Sequence, residues 1–491
     1  MGSSNTSTGS TTTALNVSGG NVTLATTGTT AVTMANANAG TANATIGITS
    51  GTLTVQGDIV GGTGAGTRNA AITLNGGTLN MTGRSIGASS NAITFNAQSG
   101  TLKNLAELNG GGAFIKTTTG TLYMDGVNSY TGATSVTAGT LQFLKETALY
   151  NNTQASWTDT RIVVSSGATA AFNVGGAGEF TAADVDVIKS LGTAGGGFTN
   201  GSVLGLDTTN AAGGSFTYDG VIANTNAGVN SVGFTKMGAN TLALTQTSTY
   251  TGPTIVAAGT LQVGNGTSGA LAGSGSVTVS SGAALSGSGS IAGSTVISSG
   301  AVLAPGVGVT GSNNQTLTFT AASTAVDVQN GGQIQLGLTS STQFDAGYDL
   351  SGDALTYLNT HGGATGTPYT TIWNQSGNYD SIKLTNGTFN LGTTLGGTVL
   401  VLDNGSTLTS GSIFKLLDWS TVGDLNSLKG SGTFTIADLD LTSLSLGSGL
   451  FWDTSAFTTY GVIVIVPEPS RILLLLLGLS GLLLRRRRTV H

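Results

Sequence analysis

Two histidines, a loose trio of aspartates and no cysteine are what this 491-residue chain offers for chemistry. His491 is the terminal residue, so His361 is the one imidazole placed to act as a base. It follows a predicted helix, Ala354 to His361, capped by Asp353 and stopped by Gly362. Positive charge is favoured at such a C-terminus, and that bland role is the one adopted. Asp345, Asp349 and Asp353 lie in the run DAGYDLSGD. Carboxylates suit Ca²⁺, but the spacing fits neither an EF-hand loop nor a nonapeptide calcium repeat. Solvated loop carboxylates are the simpler reading. The lack of Cys removes disulfides and thiolate metal sites.

No Gly-x-Ser-x-Gly elbow and no Gly-Lys-Ser/Thr phosphate loop occurs. Pro305-Gly306-Val307-Gly308 is glycine-rich but has no lysine, and reads as a turn. Glycan cleavage needs paired carboxylates, or a metal with a basic residue. The first 310 residues hold only Arg68, Arg84 and Arg161 as arginines, and their acids are scattered. The expectation is a protein that is not an enzyme, without cofactor or metal. A carboxylate pair made in space stays open to the structure.

The elements that must carry these residues are repetitive. Glycine contributes 79 residues, more than twice the usual share of about 7%. Charged residues make up 8% and apolar ones 38%. The apolar residues fall in alternating runs that can bury one face, which separates the chain from a disordered one. Gly-Thr-Leu recurs at Gly51, Gly77, Gly100, Gly120, Gly139 and Gly259, the first four gaps being 26, 23, 20 and 19 residues. Periods of this size mark stacked units that cannot bury an apolar face alone. Three short strands with turns fill one such unit. In Thr52-Leu53-Thr54-Val55 and Thr241-Leu242-Ala243-Leu244-Thr245 the aliphatic side chains face one way and the threonines the other. A second helix is predicted from a Thr181 cap to Leu191, ended by Gly192. From about Gln315 to Val466 glycine thins and Trp373, Trp419 and Trp452 appear, marking a distinct β-rich region that extends or caps the array.

Two segments share a longer pattern. Gly120–Phe143 reads GTLYMDGVNSYTGATSVTAGTLQF, and Gly238–Val263 reads GANTLALTQTSTYTGPTIVAAGTLQV. Tyr-Thr-Gly, a short β run and Ala-Gly-Thr-Leu-Gln are common to both. This pattern resembles the autotransporter-associated β-strand repeat. Gly275–Gly306 resembles autotransporter passenger stalks. The resemblance implies a right-handed parallel β-helix on the cell surface. No run of alternating strands ending in an aromatic follows, so the chain departs from autotransporters in lacking its own translocation barrel.

The tail carries another resemblance. Val466-Pro467-Glu468-Pro469 precedes Arg471, an apolar run Ile472–Leu484, and Arg485, Arg486, Arg487 and Arg488. This is similar to the PEP-CTERM sorting signal of Gram-negative bacteria, which implies an exosortase-type membrane protease as partner. A transmembrane helix is expected over the apolar run. At about 1.5 Å per residue its length is roughly 20 Å, short of the roughly 30 Å hydrocarbon core unless the arginines snorkel. The positive-inside rule places the four arginines in the cytoplasm. The N-terminus, MGSSNTSTGS, shows no signal peptide, so export requires a leader upstream of Met1.

The fold class expected is therefore all-β: a right-handed parallel β-helix over 1–310, a β-rich region over 311–465, and a sorting segment with one transmembrane helix over 466–491. The function expected is an exported structural or adhesive protein. It would be held at the inner membrane in transit and cut at its tail, then meet exopolysaccharide or other cells. The alternative is a polysaccharide-binding or polysaccharide-degrading β-helix. A passenger whose barrel is encoded separately is a third possibility. Up to Val466 the body carries 11 basic and 21 acidic residues, a net of −10, which excludes nucleic acid as a partner.

Overall fold

The computed structural model describes residues 1–4, 9–266, 268–306, 315–338, 342–343, 353–362, 379–391, 399–403, 408–418 and 436–467. They fall into two compact units. One comprises Met1–Gly259 with Gly273–Ser276, the other Thr260–Ala272 with Val277 onward.

The first unit is a stack of parallel strands. Ser10–Leu24, Thr41–Val55, Thr67–Ile86 and Thr94–Leu108 lie on one another in sequence order. Alternation decides which side chains go inside. One interior column runs Leu53, Leu79, Leu102, Met124, Phe143, Phe172 and Leu206 through successive registered strands. Every one of these is buried. Parallel strands repeat about every 4.8 Å, so the column is continuous apolar contact. Asparagines bond laterally on the other face: Asn69 Nδ2 donates to Asn43 Oδ1 at 2.8 Å, and Asn104 Nδ2 to Asn80 Oδ1 at 3.0 Å.

The predicted helix at Thr181 is present as Ala182–Lys189. Thr181 and Asp184 form a reciprocal capping box, and Val185 and Ile188 face inward. Such caps are worth about 1 kcal/mol. Thr181→Ala is expected to remove roughly that much from the unfolding free energy, read as a small shift in a denaturant midpoint.

Three parallel series build the second unit. One is Thr260–Val263, Ala284–Gly287, Val302–Pro305, Gln333–Leu338, Val399–Asp403 and Leu439–Asp440. Another is Val277–Val279, Thr295–Ile297, Thr324–Val328 and Thr388–Leu391. The third is Ala270–Leu271, Ser290–Ile291, Thr316–Phe319, Ser381–Leu384 and Leu417–Asp418. Three short strands per coil is the rung that the sequence spacing implies. The 310/311 boundary falls inside this stack, because Val302 and Leu303 register with Gln333 and Ile334.

An antiparallel sheet accompanies the coil: Ser412–Lys415 and Leu450–Asp453 flank Val462–Pro467, and Thr342–Gln343 pairs with Ser412–Lys415. The second predicted helix, Ala354–Thr360, packs Ala354 and Leu358 against Ile413, Tyr460, Val462 and Val464 of this layer.

One expectation is corrected. The fold is all-β with parallel sheets, as a β-solenoid requires, but the described residues give the expected transmembrane helix no support. Among the described residues no helix is long and apolar enough to cross a membrane. The helix was inferred from a 13-residue apolar run, which is too short for a span without help from its flanks. That run, Ile472–Leu484, lies outside the described residues.

Candidate functional site

The segments that look alike in sequence share an interior. Phe114, Lys116, Tyr130, Thr134, Ala138 and Gly139 have counterparts at Phe234, Lys236, Tyr250, Thr254, Ala258 and Gly259, each 120 positions later. In both, the phenylalanine and tyrosine rings pack together, at 5.7 Å for Phe114–Tyr130 and 5.9 Å for Phe234–Tyr250. Each phenol lies 2.7 Å from the threonine hydroxyl four residues on. All four side chains are buried, and burial pushes both phenols above their ordinary range.

The lysines are the unexpected part. Lys116 registers with Ala97 and Val136, and Lys236 with Leu206 and Val256, so each stands in an apolar column. Both are fully buried. Lys236 Nζ donates to the carbonyls of Met237 (2.8 Å), Gly238 (2.6 Å) and Ala258 (2.9 Å). Lys116 Nζ donates to Thr118 O and, at 3.2 Å, to Ala138 O. Each ammonium thus ties its own turn to the turn of the next coil. Burial pulls Lys236 down to about 8, opposed by the charge of Asp207; burial lowers Lys116 as well. Beside this lies a buried polar spine, in which Gln142 Nε2 donates to Asn173 Oδ1 (2.7 Å) and Asp207 Oδ2 (2.8 Å).

These groups are spent on one another. A cavity of about 280 Å³ elsewhere in this unit is lined by Lys189, Val221, Asn224 and Thr225 among others. Its one charge, Lys189, is bound to Asp186 (3.0 Å) and to Val221 O (2.6 Å). Two other carboxyls approach each other. Glu146 is raised by burial, and by the charge of Asp184 and a hydrogen bond to it. Asp184 is already held by the Thr181 cap and by Gln154 Nε2 at 2.6 Å.

The residues singled out from sequence are dispersed. Val466 and Pro467 form the end of strand Val462–Pro467, opposite Phe451 and Leu450. Glu468, Pro469 and Arg485–Arg488 lie outside the described residues, as do Asp345 and Asp349. Asp353 caps its helix, accepting from Thr356 N at 2.7 Å, and hydrogen bonds hold its carboxyl below the usual range. His361 is exposed, with its ring stacked on Tyr357 at 4.1 Å. Among the described residues no three potential metal-binding side chains gather.

Residues 114–143 and 234–263 match the family described as passenger-associated-transport-repeat. The chain carries two passenger repeats. They begin at Phe114 and Phe234, ahead of the Gly120 and Gly238 starts of the shared sequence pattern, and so include both Phe-x-Lys pieces. The stalk-like segment Gly275–Gly306 lies outside the matches. Among curated proteins no sequence matches the chain. The passenger repeat and the parallel sheets together make this a passenger-like β-solenoid. The buried lysine was hidden because a lysine in an alternating strand is assumed to face water. The signal that could have exposed it is Phe-x-Lys twice at one 120-residue offset.

Proposed function

We propose that this protein is an exported structural or adhesive β-solenoid. It works at the cell surface or in the extracellular matrix, addressed there by its C-terminal Val466–Pro469 motif. The observation that carries the reading is the pair of passenger repeats, folded as the same coil with the same buried tyrosine, threonine and lysine. A packed, charge-poor column offers length and a wide outer face of threonine and asparagine, suited to many weak polar contacts with exopolysaccharide or other cells. The tail is the finer part of the proposal. Its resemblance to PEP-CTERM supports reading and cutting by an exosortase-type protease at the inner membrane.

The structure sharpens the test. Pairing with Phe451 and Leu450 puts Val466 and Pro467 inside the antiparallel sheet. A truncation should therefore begin at Glu468. Deleting residues 468–491 is expected to preserve the far-UV circular dichroism spectrum while abolishing processing and surface delivery in a host that expresses the protease. Unchanged delivery of the truncated chain would defeat the sorting claim and leave the passenger-like coil standing.

A further inference from the structure

Arg68 is a cation that no carboxylate answers. Its Nη1 donates to Gly62 O at 2.5 Å and to Asn91 Oδ1 at 2.6 Å. Both acceptors are neutral, and among the described residues no acid pairs with it. Nε and Nη2 make no bond to a described residue. One nitrogen thus holds the guanidinium in place, and the other two are left as donors. The residue is exposed.

These donors border a cleft of about 100 Å³, lined by Gly61, Gly62, Ser90 and Asn91 among others. At about 30 Å³ of liquid per water, that is room for about three waters, or for one oxyanion whose carrier stays outside. The turn bearing Ser90 and Asn91 is closed on itself, Ala88 N donating to Asn91 O and Asn91 N to Ala88 O. Glycine lets that turn come close, since a Cβ at Gly61 would stand 2.3 Å from Asn91 O. A guanidinium only donates, so the Asn91 atom against it is the oxygen, and Nδ2 remains a donor. The Ser90 hydroxyl is another. Neither has a partner among the described residues.

The charge around the cleft favours an anion. Among residues 1–100 the charged side chains are Asp58, Arg68 and Arg84, a net of +1, against −10 for the body up to Val466. Asp58 Oδ1 accepts from Ser85 N at 2.9 Å. Exposed charges are screened beyond roughly 8–10 Å, so this local surplus, not the distant acids, sets the field at Arg68. Arginine suits the task, because its parallel N–H groups match two oxygens of a carboxylate or sulfate.

The geometry points to the Arg68 cleft as a binding site for one oxyanion of an acidic glycan, the carboxylate of a uronate or the sulfate of a sulfated sugar. The open edge of the guanidinium takes two oxygens, and Ser90 and Asn91 donate beside it. This deepens the adhesive reading and rests on it only for the source of the anion; binding in solution depends neither on delivery nor on the C-terminal motif.

Saturation-transfer difference NMR on the full chain tests it, with glucuronate and N-acetylglucosamine 6-sulfate as probes and glucose as the neutral counterpart. Transfer is expected to at least one acidic sugar and not to glucose, and the stronger signal identifies the source. Arg68→Gln should weaken binding by roughly tenfold or more. Asn91→Asp keeps the acceptor for Nη1 but sets a carboxylate beside the guanidinium, so it should abolish binding even if Arg68→Gln disturbs the fold. Arg84→Gln removes a charge farther along the same strand and should leave binding unchanged. Transfer to neither acid, equal transfer to glucose, binding that persists in Asn91→Asp, or an equal loss in Arg84→Gln would each overturn the inference.

Discussion

Replacing Lys236 by alanine is expected to lower the unfolding free energy of its coil by about 3–4 kcal/mol, the larger part of it from carbonyls left without a donor. The ammonium of Lys236 satisfies three backbone oxygens from two turns. Truncation orphans them at a cost of about 1–3 kcal/mol for each buried group that cannot rotate to water, and opens a void besides. Lys236→Met fills the space and removes the desolvated charge, so it should cost about half as much. Stacked coils unfold in part as neighbours, so hydrogen exchange at Thr254–Val256 is a sharper readout than a global melt. The same lysine sets a pH dependence. Its folded value is about 8 against an ordinary 10.5. Between these limits the unfolded chain binds more protons, so stability rises as pH climbs from about 8 toward 10.5. Lys236→Met should shrink that rise, leaving the part set by the other lysines that burial lowers, Lys116 and Lys415; a rise of equal size in the variant would refute the burial argument.

Gly132→Ala is the second large effect. The glycine of Tyr-Thr-Gly is required by contact, not by backbone angle. A Cβ at Gly132 would stand 2.0 Å from Gly112 O; at Gly252 it would stand 2.5 Å from Gly233 N. These obstacles are backbone of the preceding turn and cannot swing aside. Relief means separating two coils, which gives up apolar contact and ladder hydrogen bonds together. The expected loss is about 3 kcal/mol or more. Gly167 provides the comparison, with open space around its would-be Cβ but φ of +75°. Gly167→Ala should cost only the left-handed penalty of about 1–2 kcal/mol. Chemical denaturation of the two variants side by side checks the order, and equal losses would remove close coil approach as the reason for Tyr-Thr-Gly.

What the sequence disclosed follows from which signals are local. Period-two runs such as Thr52–Val55 fix the inward face of a strand, and the Gly-Thr-Leu spacing fixes the return of the chain, so the coil was legible. So were the helices at Thr181 and Asp353, because a cap is written within four residues. The antiparallel layer was not, since Ile413 meets Val464 across about fifty residues, and nothing local announces that pairing. Val462–Pro467 illustrates the same limit. Its valines and isoleucines alternate with no polar face, because both faces are buried: Val462 and Val464 pack with Leu358 and Tyr460, and Ile463 and Ile465 are sealed as well. Lys116 and Lys236 escaped because composition assigns lysine to the surface. Only their carbonyl partners, on their own turn and on the turn one coil away, explain an inward one.

The account rests on the passenger repeat being a parallel coil that returns over itself within twenty residues. Ile115 and Ser135 are registered neighbours in that coil, and Ile115 points outward. In a chain without cysteine, Ile115→Cys with Ser135→Cys places two thiols on adjacent strands about 4.8 Å apart. A short thiol cross-linker should join them rapidly, and join Ile115→Cys with Thr137→Cys, two residues out of register, far more slowly. Equal rates for the two pairs, or none for the first, would contradict the stacked coil itself.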